Sequence, residues 1–251
     1  MKKYLQRLLY LSLSILFLLV IGCKSNLEED ATEKKIDLGN IKRIDIPLDE
    51  SSATGEASLT RNFYFIFDGS GSMDDPPDKG CSGDQSFSRK IDGAKWAIQE
   101  FIKKVPDDIN LGLYIFDSNY VQKEVIPLGN SNRQRFLEVI NQVRAGGQTP
   151  LAEAIHFATD QLVKQYKKQL GYGEYRLVVI TDGMAENIPE ASLYAAQYGI
   201  PIYAIGLCIG QDHPLRQYAL SYRAADNFTD LARGLEETVA ESQVFDAKEF
   251  E

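Results

Sequence analysis

Phe63-Tyr64-Phe65-Ile66-Phe67 runs directly into Asp68-Gly69-Ser70-Gly71-Ser72-Met73. Five consecutive apolar residues leave no face for water, the pattern of a strand buried on both sides in a parallel sheet covered by helices. The segment after the strand is polar and rich in glycine. Asp68, Ser70 and Ser72 fall at alternate positions, and in extended chain alternate positions share a side. The intervening glycines let the backbone turn closely around a small ion. One carboxylate and two neutral hydroxyls form a hard-oxygen donor set, suited to magnesium, manganese or calcium rather than zinc. Taken alone, the segment reads equally well as a Gly/Ser turn between a strand and a helix.

Outward from this stretch the chain alternates between strand and helix patterns. Ile91, Ala94, Ile98, Phe101, Ile102 and Val105 recur at helical spacing. Residues 111–116 read as a second strand and 121–126 as a third, at an edge. Residues 133–143 and 151–166 read as helices, and 177–180 as a strongly buried strand. A helix over 190–198 and a strand over 200–207 come next. After a weaker stretch, Leu231, Leu235 and Val239 mark a final helix. Residues 41–46 are expected to add a short edge strand. The pattern predicts an α/β domain: a doubly wound, mostly parallel six-stranded sheet with helices on both faces. Ligands of such sheets bind beyond the carboxyl ends of the strands, which places the loops after Phe67 and Ile180 at the functional end.

Two more segments point to the same end. Gly146-Gly147-Gln148-Thr149-Pro150-Leu151 opens a helix, with Thr149 equally readable as its N-cap and Pro150 as its first residue. Ile180-Thr181-Asp182-Gly183 closes the 177–180 strand, and Asp182-Gly183 alone is more often a turn. Together and in this order, the three segments resemble the von Willebrand factor type A domain and its metal-ion-dependent adhesion site, over about residues 61–242. The resemblance implies a divalent ion, Mg2+ or else Mn2+ or Ca2+, on Asp68, Ser70, Ser72, Thr149 and Asp182. It further implies a binding role: two carboxylates leave the ion short of anionic ligands, and an open position then favours a carboxylate offered by a protein or surface-polymer partner.

Other classes fit less well. The formal charge of −9 argues against nucleic acid. The sequence has no phosphate-binding Gly-x4-Gly-Lys-Ser/Thr loop, which argues against nucleotide. The only histidines are His156, expected to be structural, and His213, expected at the surface. No catalytic cluster accompanies the metal motif, so a non-enzyme is expected. The competing readings are a magnesium-dependent hydrolase and a structural lipoprotein with an idle site.

The N-terminus sets an expected compartment. Lys2, Lys3 and Arg7 precede an apolar run over 8–21 that is too short to span a bilayer. Residues 1–22 therefore read as a secretory signal, the alternative being an uncleaved anchor. Val20-Ile21-Gly22-Cys23 resembles the lipobox of bacterial lipoproteins. That implies cleavage before Cys23, lipidation of Cys23 and membrane attachment through the lipid, in an exported protein of the bacterial cell envelope. Residues 23–60 read as a polar tether and 243–251 as a tail. Cys81 and Cys208 then remain, both expected at the carboxyl end of the sheet. In an exported chain they are disulfide candidates, the alternative being one surface thiol and one buried, inert one.

Overall fold

The computed structural model describes residues 40–48, 57–77, 81, 85–119, 123–209 and 213–240. The expected signal, the lipidation residue Cys23, most of the tether and the tail over 243–251 lie outside these residues. Among the described residues no helix is long and apolar enough to cross a membrane.

The elements run in the order β1 Arg61–Asp68, α1 Lys90–Ile102, β2 Asn110–Phe116, β3 Lys123–Gly129, α2 Arg133–Gln142, α3 Leu151–Lys168, β4 Glu174–Thr181, α4 Ile188–Gln197, β5 Ile202–Leu207, α5 Leu215–Tyr218, β6 Ser221–Ala225 and α6 Phe228–Ala240. They form one six-stranded sheet in the order β3-β2-β1-β4-β5-β6. Only β3 runs antiparallel to its neighbour. This is the doubly wound, mostly parallel α/β sheet that the residue pattern predicts.

The apolar run of β1 is divided between two cores by the pleat. Phe63, Phe65 and Phe67 join the cluster under α1, α2 and α6. Tyr64 and Ile66 join the cluster under α3, α4 and α5. In the first core the Phe65 ring packs on Phe101 and edge-on to Phe136. Gly93 in α1 lies flat against Phe228 of α6: a Cβ at that position would stand 2.2 Å from the ring. The missing side chain is what lets these two helices approach.

Two sequence expectations change. The sixth strand is β6, which pairs parallel with β5 from Tyr203↔Ser221 to Leu207↔Ala225; the sequence showed only a weaker stretch there. Residues 42–48 are not a strand. Ile44 donates its N–H to Gln197 O at the end of α4, so this segment lies against a helix end rather than on a sheet edge.

A buried arginine secures the last helix. Arg176 in β4 lies between the rings of Phe63 and Tyr203, 5.2 and 5.1 Å from their centroids. Its guanidinium donates to Thr238 O near the end of α6 and pairs with Glu174.

Candidate functional site

Three loops meet at the carboxyl ends of the central strands β1 and β4. The first two are laced by backbone hydrogen bonds. Gly69 donates to Phe116 O at 2.9 Å, Gly146 to Gly69 O at 2.9 Å, and Gly71 to Gly147 O at 3.1 Å. Gly69 is required by this crowding, because a Cβ there would meet Asp117 Cβ at 2.7 Å and Val143 Cγ1 at 2.9 Å. Gly147 holds φ at +84°, in the left-handed region that glycine adopts most readily. Asp117, which sequence reading did not single out, steadies the second loop. Its carboxylate accepts from the Asn119 and Arg144 backbone N–H groups at 2.8 and 2.9 Å.

The side chains converge from all three loops. Asp68, at the last position of β1, is fully buried. It accepts from Ser70 N–H at 2.8 Å and from the Thr181 hydroxyl at 2.6 Å. Ser70 Oγ and Ser72 Oγ lie 3.2 Å apart, and Ser72 donates to Asp182 Oδ1 at 2.8 Å. Thr149 reaches the group from the start of α3. Its hydroxyl does not cap that helix, which begins after Pro150 with no side-chain cap. Thr149 Oγ1 instead stands 3.7 Å, and Ser72 Oγ 3.6 Å, from where a Cβ on Gly183 would lie. The structure thus gathers Asp68, Ser70, Ser72, Thr149 and Asp182 into one constellation of oxygens. Among the described residues no three His, Cys, Asp or Glu side chains cluster as a metal site. The gathered set, two carboxylates and three hydroxyls, is rich in hydroxyls and fits a hard divalent ion.

Two neighbours were not legible as part of the site. Lys90, the first residue of α1, donates from Nζ to Asp182 Oδ2 at 2.9 Å. The Lys90 side chain is 11% exposed and that of Asp182 0%. A signal was present: Lys90 stands in helical phase with Ala94, Ala97 and Phe101 on the buried face of α1. His213 corrects an expectation. It is 1% exposed rather than a surface residue. Its Nδ1 accepts from Leu215 N–H at 3.1 Å, which leaves Nε2 to donate to Gly183 O at 3.0 Å. Burial lowers its pKa, which keeps the ring neutral, and it braces the third loop from below.

Burial pushes the Asp68 carboxyl up to about 6. The hydrogen bonds from Ser70 and Thr181 oppose the shift, and the Asp182 charge adds to it. A folded-state pKa raised above the ordinary 3.8 means that the native state favours the protonated acid. Below the ordinary value the group costs nothing. As pH rises toward 6 the metal-free protein loses up to about 3 kcal/mol of stability, and the loss persists above that pH. Asp68→Asn is therefore expected to stabilise the metal-free protein at pH 7.5 and to leave it nearly unchanged at pH 4. Urea denaturation of both proteins in chelator, at the two pH values, measures this.

Cys81 and Cys208 are joined by a disulfide with a Cα–Cα separation of 5.4 Å. It links the loop between Met73 and α1 to the chain just beyond β5.

Fold and site together define a doubly wound domain with a hydroxyl-rich loop cluster at the carboxyl ends of its central strands. The chain belongs to the von Willebrand factor type A domain family, whose model matches residues 62–240. A comparison with curated proteins finds no match. Solved structures share the fold. An aerotolerance-related membrane protein from Bacteroides fragilis aligns at 14% identity with a TM-score of 0.52, over 74% of this chain and 98% of that one. A mutant of the PilB minor pilin from Streptococcus sanguinis aligns at 14% identity and 0.55, over 73% and 61%. A von Willebrand factor type A structure from Catenulispora acidiphila aligns at 20% identity and 0.53, over 72% and 42%. This chain thus spans nearly all of the first structure but less than two thirds of the other two. At these identities the likeness concerns the fold alone.

Proposed function

We propose that this protein is an exported, Cys23-lipidated component of a bacterial cell envelope. It recognises a protein or surface polymer through a divalent ion held by Asp68, Ser70, Ser72, Thr149 and Asp182. The observation that carries the reading is the environment of Asp68. A fully buried carboxyl, with its pKa pushed up to about 6, accepts from the Ser70 N–H and the Thr181 hydroxyl. Hydroxyls from Ser70 and Ser72 stand beside it. A cation beside it would favour its charged form. When bound, the ion supplies a Lewis-acidic position that a partner's carboxylate completes. The chain's own residues do the rest: the serines and Thr149 offer neutral oxygens, and the laced glycine loops keep the site shaped.

A polar cleft of about 980 Å3 adjoins the site and offers surface for a partner. It is lined by Asp74, Arg89, Lys95, Asn119 and Arg144, among others. Arg89 bridges Asp74 and Asp92 at 2.9 Å each, and Lys95 donates to Val143 O at 2.5 Å. The rim loops over 74–90 and 184–189 are natural places for partner specificity. The cleft draws on the first of these and, opposite it, on residues 118–119 and 141–145.

Thermal unfolding with Mn2+ or Mg2+, against chelator, tests the ion. At a hundredfold excess over Kd the metal stabilises by about 2.7 kcal/mol, a rise of several degrees in Tm, and Asp68→Ala removes the effect. Identical melting with metal and with chelator sinks the reading. For the partner, capture from cell envelopes is expected to need metal and to fail with Asp182→Ala.

A further inference from the structure

The cation that the structure does place at the site is the Lys90 ammonium. It binds the Asp182 oxygen that Ser72 does not. Ser72 takes Oδ1 and Lys90 takes Oδ2, so both oxygens of this buried carboxylate are occupied. The lysine is firmly placed: its backbone N–H donates to Asp75 O at 3.0 Å, which fixes the first turn of α1 against the loop that carries the serines.

We propose that Lys90 is a resident positive charge that holds metal affinity down until an anionic ligand arrives, so that metal and carboxylate bind as a coupled pair. The proposal rests on the metal reading above and concerns the regulation of that same site. The charge count carries it. Asp68 and Asp182 alone would balance a divalent ion to zero. With Lys90 the loaded site keeps one positive charge, in surroundings where Asp68 and Asp182 are both buried. Interactions between charges a few ångströms apart are far stronger there than in bulk water. An arriving carboxylate cancels that residual charge. Metal therefore strengthens carboxylate binding, and by linkage carboxylate strengthens metal binding to the same degree. Without metal, Lys90 neutralises Asp182 and lets the site persist as a formed structure.

A lysine with a purely structural role predicts the opposite sign. Its removal would leave Asp182 poorly held and weaken the metal. The test is Mn2+ titration followed by electron paramagnetic resonance on the full-length chain in detergent, with acetate or chloride at matched ionic strength. The proteins are wild type, Lys90→Gln, Lys90→Met and Lys90→Arg, each checked for native circular dichroism. The wild type is expected to bind Mn2+ weakly and to tighten in acetate. Lys90→Gln and Lys90→Met are expected to bind Mn2+ at least about tenfold tighter in chloride, because a like charge has been removed. Acetate should then add little. Lys90→Arg keeps the charge and is expected to behave as wild type. Folded Gln and Met variants that bind Mn2+ no tighter than wild type overturn the proposal and leave the metal reading standing. So does an acetate effect of equal size in wild type and Lys90→Gln. No Mn2+ binding by any of the four proteins overturns both.

Discussion

Replacing Cys81 and Cys208 by serine is expected to lower the melting temperature by about 10 °C, and a reductant should do the same to the unaltered protein. The bridge closes a sequence separation of 127 residues. By the chain-entropy argument a loop of that length restricts the unfolded chain by up to about 5 kcal/mol, and measured losses of native bridges run at about 2–5. The native end of the balance matters as well. Cys81 is buried in the core that contains Phe67, Met73 and Leu207, and Cys208 packs against it. The bridge therefore pins the loop after the serines to the carboxyl end of β5. Circular dichroism melts with and without reductant are the measurement. Coincident curves would show that the native state does not depend on the link.

Asp182→Ala should be the most damaging single change at the site. Removing one member of a buried ion pair leaves the other charge unpaired, at a cost of about 3–5 kcal/mol. Here the stranded group is Lys90, whose side chain is 11% exposed and so retains a little solvent; a loss near the lower end, about 3 kcal/mol, is expected. The Mn2+-dependent shift in Tm should vanish in the same variant. The partner experiment is the double variant Asp182→Ala/Lys90→Met, which removes the stranded charge and should recover most of the stability but none of the metal response. Such a cycle isolates the pairwise coupling, provided each single change creates no new contact. If the double variant is no more stable than Asp182→Ala alone, the ion pair is not what holds this corner together.

How much of this was readable beforehand depends on how far each residue's environment reaches along the chain. Residues 63–67 and 177–180 announce central strands because both of their faces are buried, so every position must be apolar. β6 was missed for the converse reason. Ser221-Tyr222-Arg223-Ala224 is only half buried, at an edge, and a strand in that position needs no apolar run. Residues 41–46, with Ile41, Ile44 and Ile46, read as an edge strand yet found a helix end instead of a sheet edge; the pattern does not say which edges are open. At the site, Asp68, Ser70 and Ser72 were legible because one short loop carries all three. Thr149 and Asp182 were legible only through family resemblance. Lys90 and His213 were not, because their partners, Asp182 and Gly183, lie 92 and 30 residues away. A lysine in phase with a buried helical stripe was the one local sign available. For His213, the polar Gly210-Gln211-Asp212 before it pointed the wrong way.

The contact between Gly93 and Phe228 acquires another meaning once Lys90 is placed. Gly93 is one helical turn beyond Lys90, and the ring it touches belongs to the first residue of α6. At its far end α6 is held by Arg176, whose guanidinium donates to Thr238 O from between two aromatic rings. The helix is thus moored at both ends. Sliding it along the sheet would lift Phe228 off Gly93 and withdraw the buried Arg176 guanidinium from Thr238 O at the same time. The first turn of α1, which carries Lys90, is therefore tied through Gly93 and Phe228 to the helix that Arg176 holds.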